Sequence, residues 1–98
     1  HIHRWRYSNA TDTYELSIGR AMVKLDVSLL QDRFISVQFG EGEAVSLKAG
    51  QLLSADNWAF CISQTSIYIP EDAREEINAV LRAIWRNNPV EDLLGPRY

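Results

Sequence analysis

The chain of 98 residues is poor in the residue types from which most catalytic and metal sites are built. It has one cysteine and two histidines, and no spacing among them resembles a zinc motif. A serine or cysteine nucleophile needs a nearby base, yet the only imidazoles belong to His1 and His3 at the start of the sequence. We therefore expect no resident metal, no cofactor and no enzymatic activity.

The single cysteine, Cys61, excludes an internal disulfide. It lies in the apolar run 58–62, and a free cysteine in such a run is typical of a buried structural thiol. This use of cysteine favours a reducing compartment, so we expect a cytoplasmic protein. Long apolar runs are also missing, because none approaches the roughly 18 residues that a membrane span requires. We accordingly expect no contact with a membrane.

Basic residues are outnumbered, with 10 Lys and Arg against 13 Asp and Glu, a net charge of −3. Neutralising phosphates requires a basic surface, so this balance counts against nucleic acid as the main partner. An acidic chain instead suits a basic partner protein.

Prolines and glycines are few, and most separate segments in which apolar and polar residues alternate. Such alternation predicts half-buried strands. The predicted strands are 1–7 at the sheet edge, then 14–18, 21–29, 35–39, 45–47, 58–62 and 66–69. Connections this short predict an antiparallel meander, since parallel pairing needs long crossovers. We expect about six or seven strands, in a sheet that is open or curled toward a barrel.

Residues 70–89 change to a helical period. Their apolar residues recur every three or four positions, namely Ala73, Ile77, Val80, Leu81, Ile84 and Trp85. We predict a C-terminal amphipathic helix packed on one face of the sheet. Asn88 and Pro89 suit the start of a short second helix, over 89–94. The whole chain, residues 1–98, is predicted to be one α+β domain.

Three features remain as candidates for a binding surface. The segment 1–7 interleaves cations with aromatic residues, Trp85 lies at the margin of the helical stripe, and the tail carries two leucines. Tryptophan and arginine are enriched in the parts of protein interfaces that contribute most affinity. We therefore assign a protein-binding role to Arg4, Trp5, Arg6, Trp85, Leu93 and Leu94.

The leading hypothesis is a non-catalytic protein-binding module, such as a small acidic inhibitor, an immunity-type protein, an adaptor or a chaperone. Its surface would lie on the sheet edge or the helix rim, and a homo-oligomer stays open. A second hypothesis is a small-ligand or acid–base enzyme domain using the turn carboxylates Glu41, Glu43 or Asp56. A third is nucleic-acid binding through the N-terminal basic and aromatic segment, with Lys24 on the same outward face.

Overall fold

The computed structural model describes residues 3–87, and their first half forms an open antiparallel sheet of five strands. The strands are β1 (Trp5–Ser8), β2 (Thr13–Ile18), β3 (Ala21–Asp26), β4 (Phe34–Phe39) and β5 (Val45–Lys48). They lie side by side in chain order, so the predicted meander is confirmed. A 3-10 turn (Leu30–Asp32) joins β3 to β4. Two helices follow, α1 (Ala55–Thr65) and α2 (Glu71–Trp85).

The alternation of residues gives the sheet one apolar and one polar face. Strand register aligns four apolar side chains across β1 to β4, and all are buried: Trp5, Leu16, Val23 and Phe39. The next row on the opposite face is polar, and it consists of Arg6, Glu15, Lys24 and Gln38. Successive side chains of a strand point to opposite faces, which explains the difference. The apolar face and both helices contribute to a single hydrophobic core.

Helix α2 confirms the predicted amphipathic stripe. All six predicted apolar positions are buried, and Ala83 is buried with them. Pro70 is the N-cap, with an extended backbone that leads into the helix. The helix ends at Trp85, within the predicted stretch 70–89.

Helix α1 corrects the prediction of a strand over 58–62. A short apolar run does not by itself distinguish a strand from a buried helical segment. The deciding signal is Ser54, which forms a capping box with Asn57 at the helix start. Trp58 and Cys61 are three residues apart, so they share one helical face, and both are buried.

The prediction of six or seven strands was therefore too high. Residues 66–69 also form no strand: Ser66 ends α1 in the left-handed conformation, at φ 55°, and the chain then runs to Pro70. The sheet is open, which is one of the two predicted arrangements. The predicted second helix, 89–94, lies outside the described residues.

The helices are attached to the sheet and its outgoing loop by specific contacts. Trp58 of α1 packs edge-on against Phe39 of β4, with ring centroids 5.4 Å apart. The side-chain amide of Asn78 in α2 bonds both backbone groups of Leu53, accepting at 3.0 Å and donating at 3.3 Å. These contacts join α2 to the segment between β5 and α1.

Candidate functional site

A cavity of about 300 Å³, which we call the sheet-face cavity, lies on the polar side of the sheet, where β3 ends and β4 begins. Its wall combines apolar side chains with a carboxylate and hydroxyls. The lining residues are Asp26, Ser28, Leu29, Phe34, Ile35, Ser36 and Ser46. Small-molecule and side-chain pockets typically have this composition, an apolar wall with a few convergent polar groups.

The strand register places the polar groups of the cavity in one row. Asp26 of β3 is opposite Ser36 of β4, and Ser36 is opposite Ser46 of β5. Directly opposed residues in antiparallel strands share a face, with Cα atoms about 4.5–5.5 Å apart. A carboxylate and two hydroxyls therefore point to the same side across three strands.

The apolar wall of the cavity consists of Leu29 and Phe34. Leu29 is 58% exposed and Phe34 is 36% exposed, high values for large apolar side chains. The Phe34 backbone N–H donates to the Leu29 carbonyl at 3.2 Å, which closes the turn between β3 and β4. Arg33 adopts the left-handed conformation in this turn, at φ 64°. The fold thus holds two exposed apolar side chains beside each other.

The polar groups of the cavity are little used by the fold. Oδ1 of Asp26 accepts the Ser28 backbone N–H at 2.9 Å, and no ion pair with another described residue involves this carboxylate. Within residues 3–87, the hydroxyls of Ser36 and Ser46 form no hydrogen bond. A carboxylate oxygen and two hydroxyls are therefore available to a ligand.

The exposed edge of β5 is partly blocked beside this cavity. The Lys48 N–H donates to the Gln51 side chain at 2.8 Å, and the Lys48 carbonyl accepts the Gln51 N–H at 2.9 Å. The backbone N–H of Ala49 donates to the Arg33 carbonyl. In an antiparallel pair, alternate residues direct their backbone groups toward the neighbouring strand. Within β5, only Ser46 and Lys48 therefore direct their backbone groups toward the open edge. Because Gln51 already bonds the N–H and the carbonyl of Lys48, this edge offers few free backbone groups to an added strand.

A second, larger cavity of about 530 Å³, which we call the helix groove, lies between α1 and α2. Its lining includes Trp58, Ala59, Arg74 and Asn78. The guanidinium of Arg74 lies 5.5 Å from the Trp58 ring and donates to the Ile69 carbonyl at 2.9 Å. The Asn78 amide is occupied by Leu53, as described above. The central polar groups of this groove thus maintain the fold.

The structure places the predicted N-terminal residues in different environments. Arg4 is exposed, but the ring of Trp5 is buried. Arg6 donates twice to one carboxylate oxygen of Glu15, at 2.7 and 3.2 Å. Lys24 is opposite Glu15 in the next strand. Base stacking by Trp5 is not favoured by this arrangement, and the charge of Arg6 is largely balanced.

Trp85 is also buried, with 9% of its surface exposed. Its indole N–H donates to the Gln51 carbonyl at 2.8 Å, and the guanidinium of Arg33 lies 5.1 Å from its ring. These contacts complete the core and leave little of the ring for a partner. Leu93 and Leu94 lie outside the described residues, so their predicted role stays a prediction.

The three predicted acid–base carboxylates are not brought together. Glu41 and Glu43 are exposed in the turn between β4 and β5, and Glu43 lies near Gln64 toward the end of α1. Asp56 is in the first turn of the same helix, eight residues before Gln64 and so about 12 Å away along the axis. Neither cavity described above is lined by these residues. In residues 3–87, no cluster of His, Cys, Asp and Glu is arranged to hold a metal ion.

Burial is the leading cause of a raised pKa at two titratable groups among residues 3–87, and neither group lines either of the two cavities. Burial raises the pKa of the Cys61 thiol to about 11. Burial also raises the pKa of Glu76 in α2, although the nearby His3 imidazole and backbone and the Trp5 indole oppose the shift. His3 Nε2 lies 3.6 Å from Asp72, so this group of side chains attaches the N-terminal segment to α2. We interpret both shifts as structural.

The residues of the sheet-face cavity were missed by the sequence prediction. The predicted strand 21–29 ran through Asp26, although β3 ends there. The sequence does contain a signal that the strand has ended, because the two successive apolar residues Leu29 and Leu30 break the alternation. The predicted strand 35–39 also omitted Phe34, which begins β4.

No protein-family model, curated protein or solved structure matches this chain. Neither described helix combines the length and the apolar character that crossing a bilayer demands. The function of the candidate site is therefore inferred from its geometry and chemistry.

Proposed function

We propose that this protein is a non-catalytic protein-binding module, and that its partner docks on the sheet face at the cavity beside Leu29 and Phe34. The observation that carries the proposal is the convergence of two exposed apolar side chains with polar groups that the fold leaves unused. A partner side chain buried there would gain apolar contact and find hydrogen-bonding groups at the same place.

The sheet face is a better candidate than the β5 edge of the sheet or the helix groove. Strand addition at β5 would have to displace Gln51 from Lys48. Binding in the helix groove would compete with the contacts that Arg74 and Asn78 make with the backbone. The sheet-face cavity requires no such displacement, and its polar neighbours Ser36 and Ser46 are accessible from one side.

The experiment that tests this proposal uses two phenylalanines of nearly equal exposure. Phe34 is 36% exposed in the cavity wall, whereas Phe60 is 37% exposed on α1 and outside both cavities. Peptides are selected on the folded protein from a random displayed library, and the Kd of each is measured by fluorescence anisotropy. We expect Phe34→Ser to weaken binding at least tenfold and Phe60→Ser to change it less than twofold.

Circular dichroism and the thermal midpoint of each variant establish that both remain folded. A third variant, Ala59→Arg, places a long charged side chain in the helix groove. If the selected peptides respond to Ala59→Arg and not to Phe34→Ser, the groove is the binding site and the proposal is wrong. Equal effects of Phe34→Ser and Phe60→Ser would also contradict it.

A further inference from the structure

The chemistry of the sheet-face cavity specifies which side chain it accepts. Its wall is apolar at Leu29 and Phe34, and its polar row contains an acidic group, Asp26, with two serine hydroxyls. A carboxylate accepts hydrogen bonds only, and a hydroxyl can accept as well as donate. The cavity therefore suits a group that is rich in donors, positively charged, and attached to an apolar stem.

We infer that the partner inserts an arginine side chain into this cavity, an inference that rests on the proposed protein-binding function. The guanidinium lies against the carboxylate of Asp26 and within reach of the hydroxyls of Ser36 and Ser46. Its methylene stem packs on Leu29 and Phe34. Arginine carries five donors in a flat, rigid arrangement and stacks on aromatic rings, whereas the compact ammonium of lysine fits a flat apolar wall less well.

The surrounding charges are consistent with this occupant. Among residues 3–87, Asp26 is the only ionisable group in the cavity lining. Lys48, the basic residue of β5, is opposite Phe34, and its Nζ lies 5.9 Å from the centre of the Phe34 ring. Lys48 is not part of the cavity lining. Lys24 is two residues from Asp26 on the same face of β3, where Glu15 is opposite to it. An arginine inside the cavity thus meets a carboxylate first.

The experiment uses a minimal probe, N-acetyl-arginine methylamide, with the citrulline analogue as the matched ligand. Citrulline has nearly the same shape but no charge. We expect the arginine probe to shift the amide NMR signals of Ser28, Phe34, Ser36 and Ser46, and the citrulline probe to shift them at least fivefold less at equal concentration. Equal shifts with both probes would overturn the inference.

Two variants separate the role of the carboxylate from a general charge effect. Asp26→Asn retains an oxygen that can accept the Ser28 N–H, so the turn is preserved. Asp32→Asn removes a nearby exposed charge outside the cavity lining. We expect Asp26→Asn to raise the Kd of the arginine probe at least fivefold and Asp32→Asn to raise it less than twofold. Equal effects would overturn the inference.

The inference and the proposed function fail in different ways. Selected peptides that depend on Phe34 but show no enrichment of arginine, together with an inert arginine probe, would leave protein binding standing and overturn the arginine assignment. Peptides that do not depend on Phe34 would overturn both.

Discussion

The bridge from Asn78 to Leu53 gives the sharpest stability prediction. Leu53 is 4% exposed, so its backbone N–H and carbonyl have little access to water when Asn78 is shortened. In Asn78→Ala, two hydrogen bonds are lost at about 1 kcal/mol each, and a buried group left unpaired adds about 1–3 kcal/mol. The better helix propensity of alanine returns about 0.5 kcal/mol. We expect a net loss of about 2.5–4.5 kcal/mol in the free energy of unfolding.

Urea unfolding followed by tryptophan fluorescence measures this loss. A change of this size lowers the thermal midpoint of a domain near 100 residues by roughly 10–35 °C. Asn78→Asp retains an acceptor for the Leu53 N–H and loses the donor, so we expect an intermediate loss. Arg82→Ala, at an exposed position of the same helix, should change stability by less than about 0.5 kcal/mol. A loss below about 0.5 kcal/mol in Asn78→Ala would show that the hydrogen bonds between Asn78 and Leu53 do not stabilise the fold.

Three further predictions concern other parts of the fold. Gly42→Ala should cost about 1–3 kcal/mol in urea unfolding, because a Cβ there would lie 2.6 Å from the Cβ of Gln64 and force the turn away from α1. The Cys61 thiol should resist a disulfide-exchange reagent in the native protein at neutral pH and react fully in denaturant, since it is buried and its pKa is about 11. Glu76→Gln should flatten the dependence of stability on pH. The pKa of Glu76 is raised in the folded state, so wild-type stability declines as pH rises above the ordinary value of 4.5 and the variant lacks that decline.

Each of these predictions has its own control. Gly19 has φ +59° and no atom within 4 Å of an added Cβ, so Gly19→Ala measures backbone strain without a clash. A Gly42→Ala loss below about 0.5 kcal/mol, the size of an ordinary surface substitution, would contradict the clash. Labelling of native Cys61 as fast as in denaturant would show that the thiol is accessible. If Glu76→Gln retained the full wild-type pH dependence, another group would be its source.

The sheet and α2 were predictable because their patterns are long and regular. The alternation in β2, β3 and β4 and the six-residue stripe of α2 each repeat over several periods. Helix α1 was not, because its apolar residues 58–62 are consecutive and its start uses Asn57 where a capping box more often has Glu or Gln. Local pattern alone cannot separate a buried strand from a buried helix in so short a run.

The candidate site was less predictable than the fold. The cavity depends on register, which brings Asp26, Ser36 and Ser46 together from three strands. The polar residues are common surface types, and their sequence spacing has no pattern that a motif would detect. Trp5 and Trp85 were predicted to bind a partner because of their residue type, yet both are buried. Tryptophan has the same large apolar surface in a core as at an interface, so the residue type does not separate the two roles.

Amide NMR of the protein with a selected peptide shows whether the partner binds at the sheet-face cavity. We expect the largest shifts around the sheet-face cavity, on Ser28, Leu29, Phe34, Ser36 and Ser46. Largest shifts on α1 and α2, at the groove between the helices, would contradict this expectation.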